Sequence, residues 1–181
     1  MKNLVRIFLL LIIVGAAIGI HSSCSDENDC SMAGRPMMYS FKTNDPDNDK
    51  AVLNDTLDSL TVRAMGTDSI ILNNEKDVHT VMLPLRYTSD STVFIFQYDP
   101  VRNPEDVDTV YIVQENTPYF QSMECGYMMK QNIISAAFGN RKNSTEKITS
   151  IELRNKEANS NEIENLQIFF NYRDRTPVTP D

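Results

Sequence analysis

Ser91-Thr92-Val93-Phe94-Ile95-Phe96-Gln97-Tyr98 decides how this chain folds. Its centre, Val93 to Phe96, is a short apolar run of β-branched and aromatic residues, and it predicts a strand buried on both faces. Asp108 to Glu115 follows with Val110-Tyr111-Ile112-Val113 at its centre. Upstream lie Met37 to Thr43, Asp58 to Ala64, Ser69 to Leu72 and Val78 to Leu85. Met65-Gly66-Thr67-Asp68 suits a hairpin connection between two of these runs. Pro84 marks an edge or a strand end, because proline has no N–H for a ladder. Downstream come Met123 to Met129, Ile133 to Phe138, Ile148 to Leu153 and Leu166 to Tyr172. Thr149, Ile151 and Leu153 alternate with Ser150, Glu152 and Arg154, the period of a half-buried strand.

No stretch keeps a 3.6-residue apolar period between caps. The best helical candidate, Lys156 to Glu164, has almost no apolar face. Roughly eight to ten short strands without a βαβ rhythm predict an all-β fold. The expected architecture is an antiparallel β-sandwich of immunoglobulin-like kind, with a small β-barrel as the alternative. One domain is expected over 37–172, followed by a disordered tail, 173–181, that contains Pro177 and Pro180.

The N-terminus reads as an address. Lys2 and Arg6 precede an apolar or small run from Ile7 to Ile20. As a helix that run rises about 21 Å, short of a hydrocarbon core about 30 Å thick. A basic start, a short apolar run and then polar residues make a secretory signal, 1–23. His21-Ser22-Ser23-Cys24 resembles the lipobox of bacterial lipoproteins, in which the cysteine is acylated and becomes the new N-terminus. His21 departs from the aliphatic residue usual at that place. The alternatives are an uncleaved membrane anchor, or a signal cut nearby with Cys24 left as an ordinary thiol. Ser25-Asp26-Glu27-Asn28-Asp29 opens an acidic tether, 24–36. It resembles the export signal of surface lipoproteins of the Bacteroides group, or else is a solvated linker.

The chain of 181 residues carries 17 Lys+Arg against 25 Asp+Glu, a net charge of -8, with 2 His, 3 Cys and no Trp. That balance excludes a nucleic-acid binder, which draws its affinity from clustered Lys and Arg. Removing 1–23 takes away Lys2, Arg6 and His21. It leaves 158 residues with 15 basic against 25 acidic, a net of -10, and one histidine. With Cys24 lipidated, Cys30 and Cys125 remain, and two such cysteines outside the cytoplasm are expected to pair. The alternative, a reactive or metal-binding thiol, has no CxxC spacing behind it.

Asp58-Ser59-Leu60-Thr61-Val62, Gly66-Thr67-Asp68-Ser69, Leu83-Pro84-Leu85, Asp90-Ser91-Thr92, Asp108-Thr109-Val110 and Glu124-Cys125-Gly126-Tyr127 fall in a recognisable order. In that order the chain resembles a Bacteroides-type lipoprotein family, domain of unknown function 6452, over roughly residues 30 to 172. The resemblance implies a secreted, β-rich lipoprotein and carries no activity, substrate or catalytic residue.

Chemistry finds little material. A Ser-His-Asp arrangement would need His79, read as mid-strand, and no GxSxG elbow occurs. Asn44-Asp45-Pro46-Asp47-Asn48-Asp49 is acidic enough for calcium. As an EF-hand loop starting at Asp45, however, it puts Lys50 where Gly is needed and Thr56 where Glu is needed. Tyr119, Phe120 and Tyr127 offer stacking faces for a sugar, or core material. Met123, Met128 and Met129 read as core gap-fillers. Thr56, Ser59, Ser69, Ser91 and Thr109 each follow an Asp in Asp-Ser/Thr-apolar triplets. These resemble the O-glycosylation acceptor of exported Bacteroides-group proteins, and sites of this kind need exposure; turn chemistry is the alternative.

The expectation is therefore a non-enzymatic envelope protein of the outer membrane, with no metal and no cofactor. It would hold the membrane through an N-terminal lipid and contact an envelope protein or glycan. The alternative is a carbohydrate- or calcium-binding module using the Asn44–Asp49 turn or the Tyr119–Tyr127 region.

Overall fold

A computed structural model describes residues 36–45, 48–67, 69–101, 104–140, 147–158 and 163–171. Its elements are β1 (Pro36–Asp45), β2 (Asn48–Asn54), β3 (Leu57–Ala64), β4 (Ile70–Val78), β5 (Thr80–Pro84), β6 (Ser91–Tyr98), β7 (Val107–Ser122), β8 (Gly126–Asn140), β9 (Ile148–Leu153), β10 (Glu157–Ala158) and β11 (Glu164–Phe170). There is no helix among the described residues. The signal, the tether up to residue 35 and the tail from 173 lie outside them.

The strands form two packed sheets, a β-sandwich. One sheet has the order β10-β8-β7-β6-β3-β4. The other runs β2-β1-β11-β9, with β5 also pairing β1. Every pair is antiparallel except β1 with β11, which run parallel from Met38 beside Glu164 to Thr43 beside Phe170. The sequence pattern predicted antiparallel pairing throughout. Residue alternation is the same in both kinds of ladder, so the pattern does not reveal which strands meet at opposite ends of a chain. The sheets remain separate rather than closing into a barrel. Three consecutive strands, β6, β7 and β8, lie side by side as a meander, whereas immunoglobulin domains use Greek-key crossings.

Between the sheets lies one core. Met37, Tyr39, Phe41, Leu166, Ile168 and Phe170 come from one sheet, and Leu60, Val62, Phe94, Phe96, Tyr98, Val110 and Ile112 from the other. Three edge-to-face aromatic contacts join the sheets: Tyr39 with Phe94 at 6.2 Å, Phe41 with Phe96 at 6.4 Å, and Tyr98 with Phe170 at 5.9 Å between centroids. Positive ring edges point at negative ring faces, a geometry that adds roughly 0.5–1.5 kcal/mol per pair beyond area burial. In β6 the inner face is wholly buried, but Val93 and Ile95 on the outer face are only half-buried. A meander covers its own outer face less than a parallel sheet wrapped by helices would.

Some boundaries differ from the sequence pattern. β2 occupies residues read as part of an acidic turn, and β8 joins two predicted strands into one. His79 sits exposed in a bend between β4 and β5, not mid-strand, and its carbonyl accepts from the Phe41 N–H at 3.1 Å. Within Lys156 to Glu164, Glu157 and Ala158 form a short strand on β8.

Candidate functional site

β6 pairs β7 only from Val107 to Val113, whereas β7 runs on to Ser122 paired with β8. The distal part of this hairpin is therefore an arm that runs about 30 Å beyond the pairing with β6, its base flanked on the other side by β10 at Gln131 and Asn132. Its turn is Met123-Glu124-Cys125, closed by Ser122 opposite Gly126. Gly126 has φ 68, the left-handed residue that ends a three-residue hairpin loop with a bulge, and glycine adopts it without a Cβ penalty. The Cys125 N–H donates to Ser122 Oγ at 3.1 Å, which fixes the turn further.

A buried amide network roots the arm. Thr92 Oγ1 donates to Gln114 Oε1 at 2.7 Å and accepts from the Arg86 N–H at 2.9 Å. Gln114 Nε2 donates to the Arg86 carbonyl, and to the Ser89 carbonyl at 3.2 Å. Asn116 Nδ2 donates to the Ser89 carbonyl at 2.7 Å, and Gln131 Nε2 donates to Asn116 Oδ1 at 2.9 Å. Gln114 and Gln131 are fully buried, so these bonds replace water the groups have lost. The β5–β6 connection is thereby held against the base of the hairpin.

At the free end the side chains are apolar and uncovered. Met123 is 87% exposed, Tyr127 69% and Phe120 53%. Phe120 and Tyr127 are opposite each other in the ladder, with centroids 5.6 Å apart at 73°. Of the two readings the sequence offers for these aromatics, stacking faces or core, their exposure excludes the core, and Met123 is not the core gap-filler expected. They lie outside the core because, among the described residues, no strand of the opposite sheet covers the arm. Met128 is buried, as a gap-filler should be. Between Asn116 and Met129 the only charged residue is Glu124. That run of low charge was the available signal for an unusual hairpin end.

The predicted glycosylation residues fall in different environments. Ser69 and Ser91 are exposed, at the starts of β4 and β6. Thr56 and Thr109 are half-buried. Ser59 is buried, and its hydroxyl donates to Asn74 Oδ1 at 2.6 Å, so it lacks the exposure that a glycan requires. Ser69, Ser91, the arm and the start of β1 all lie at one end of the sandwich. Met65 N–H reaches the Val93 carbonyl there at 2.8 Å, and Pro36 pairs with Pro84. Cys24 and Cys30 lie outside the described residues, as do Pro46 and Asp47 of the acidic turn.

Among the described residues there is no group of three His, Cys, Asp or Glu placed to hold a metal ion. No helix among them is long and apolar enough to cross a membrane. The exposed hairpin end presents an aromatic pair, a thioether and one carboxylate to solvent.

The model of a family of unknown function, DUF6452, matches residues 59–170. The chain belongs to this family. The DUF6452 match begins inside β3 and ends with the last residue of β11, so it takes in the whole meander and the arm. β1, which sits between β11 and β5 in the second sheet, lies before it. No curated protein and no solved structure matches the chain.

Proposed function

We propose that this DUF6452 protein is a lipid-anchored component of the outer membrane, held through Cys24 and working as a non-enzymatic interaction or structural module of the cell envelope. The observation that carries the reading is the N-terminal run from Lys2 to Cys24, with its basic start, short apolar stretch and Ser22-Ser23-Cys24 end. The same reading pairs Cys125 in a disulfide. A disulfide suits an oxidising compartment outside the cytoplasm. If Cys24 carries lipid, Cys30 is the cysteine left to pair with Cys125. The closed loop approaches 100 residues, for which chain entropy gives about 4.7 kcal/mol of stabilisation.

Metabolic labelling with palmitate tests the anchor. Wild-type protein takes up label and fractionates with membranes, and Cys24→Ser does neither. Labelling of Cys24→Ser, or an unlabelled wild type, would sink the proposal. Turnover of generic ester, peptide or glycoside substrates by the purified protein would remove its non-enzymatic part.

A further inference from the structure

We propose that the end of the β7–β8 hairpin is a second membrane contact, with Phe120, Met123 and Tyr127 seated at the headgroup–acyl boundary of the bilayer that holds the Cys24 lipid. The inference rests on the lipid anchor proposed above and adds an orientation to it.

Chain length supplies the first argument. Cys125 lies in the turn of the arm, and the chain has three cysteines. With Cys24 acylated and Cys30 paired with Cys125 as proposed above, six extended residues span at most about 21 Å. The hairpin end is thus confined to within a short tether of the membrane surface. Without that bond the lipid would be joined to the domain only through Pro36, across as much as about 42 Å of chain, and the sandwich could turn freely. Pro36 also lies at the end from which the arm projects, so both constraints turn the same pole toward the bilayer.

Side-chain chemistry supplies the second argument. Large exposed apolar side chains clustered at one tip are costly in water unless something covers them. An amphipathic ring such as that of Tyr127 suits the interface, with its ring among acyl chains and its hydroxyl in the headgroups. Glu124 sits exposed in the turn itself and opposes deeper insertion. Lys130 further up the arm is already paired with Glu157 at 3.4 Å. The arrangement fits a shallow contact that fixes tilt, with the lipid supplying the main hold.

The chain has no tryptophan, so one introduced residue is a unique reporter. Met123→Trp places it at the hairpin end, and Val101→Trp at an exposed turn on the opposite pole. The full lipidated protein is reconstituted into vesicles of phosphatidylethanolamine and phosphatidylglycerol that contain a nitroxide lipid labelled near the headgroup. The expected result is that the Trp at 123 shifts to the blue and loses most of its emission, while the Trp at 101 keeps its own. Equal emission at both positions, in protein that floats with the vesicles, would overturn the contact and leave the anchor standing. Protein that does not float would remove the anchor, and the contact with it.

Discussion

Phe120 and Tyr127 face one another across the last rungs of the β7–β8 ladder, 5.6 Å between centroids, with more than half of each side chain in solvent. Their counterparts in the sandwich, Tyr39 with Phe94 and Phe41 with Phe96, make the same edge-to-face geometry in full burial. The contrast separates a pair retained at the surface from pairs that hold the fold. In denaturant unfolding of the protein in aqueous buffer, Phe120→Ala and Tyr127→Ala should each cost less than about 1 kcal/mol. Phe94→Ala should cost about 3–5 kcal/mol. Equal costs at the two kinds of site would mean that the hairpin end belongs to the core.

Asn165 is a buried junction. Its Oδ1 accepts from the Met38 N–H at 3.0 Å, and its Nδ2 donates to the carbonyls of Asn155 at 3.1 Å and Glu157 at 2.8 Å. It therefore supports the irregular step in β1 at Met38/Tyr39 and the corner between β9 and β10. Replacement by Ala strands three backbone groups, and the expected loss is roughly 2–4 kcal/mol in denaturant unfolding. A loss below about 0.5 kcal/mol would show that water takes over all three bonds.

Tyr39 carries a buried hydroxyl with no hydrogen-bond partner among the described residues. Tyr39→Phe should therefore raise the melting temperature, because an unmet buried polar group costs about 1–3 kcal/mol. Burial also pushes the phenol's pKa well above the ordinary tyrosine value of about 10. The unfolded chain therefore gives up this proton at a lower pH than the folded chain. Stability at this site is full below about pH 10 and falls as pH rises from there toward the folded value. The Phe variant should lose that part of the alkaline slope. An unchanged slope, with a lower melting temperature, would contradict both points.

The core was legible because it obeys a period of two. Val110 and Ile112 alternate with Tyr111 and Val113, and the first pair is buried while the second is exposed. What escaped was set by length and partners. The segment from Asn116 to Ser122 contains Pro118 and Gln121 and lacks clean alternation, yet it forms strand because β8 supplies a full ladder. Asn48 to Asn54 pairs with β1 through its backbone, and its Val52 and Leu53 remain exposed. The exposure of Phe120, Met123 and Tyr127 depends on where the opposite sheet stops, which local sequence does not encode.

Glycosylation divides along the same line of exposure. If the Asp-Ser/Thr-apolar triplets are acceptors, intact-mass analysis of protein from its native envelope should show glycan that is lost in Ser69→Ala with Ser91→Ala. Ser59→Ala should leave the glycan mass unchanged, since that hydroxyl is already buried against Asn74 Oδ1. Glycan mapped to Ser59 would require modification before folding.

Non-reducing peptide mapping by mass spectrometry, on protein extracted from membranes, puts the whole account to one test. The expected product is a peptide that begins at Cys24 and bears acyl groups, linked through Cys30 to the peptide containing Cys125. A peptide that retains residues before an unmodified Cys24, or a Cys125 joined to Cys24, would contradict it.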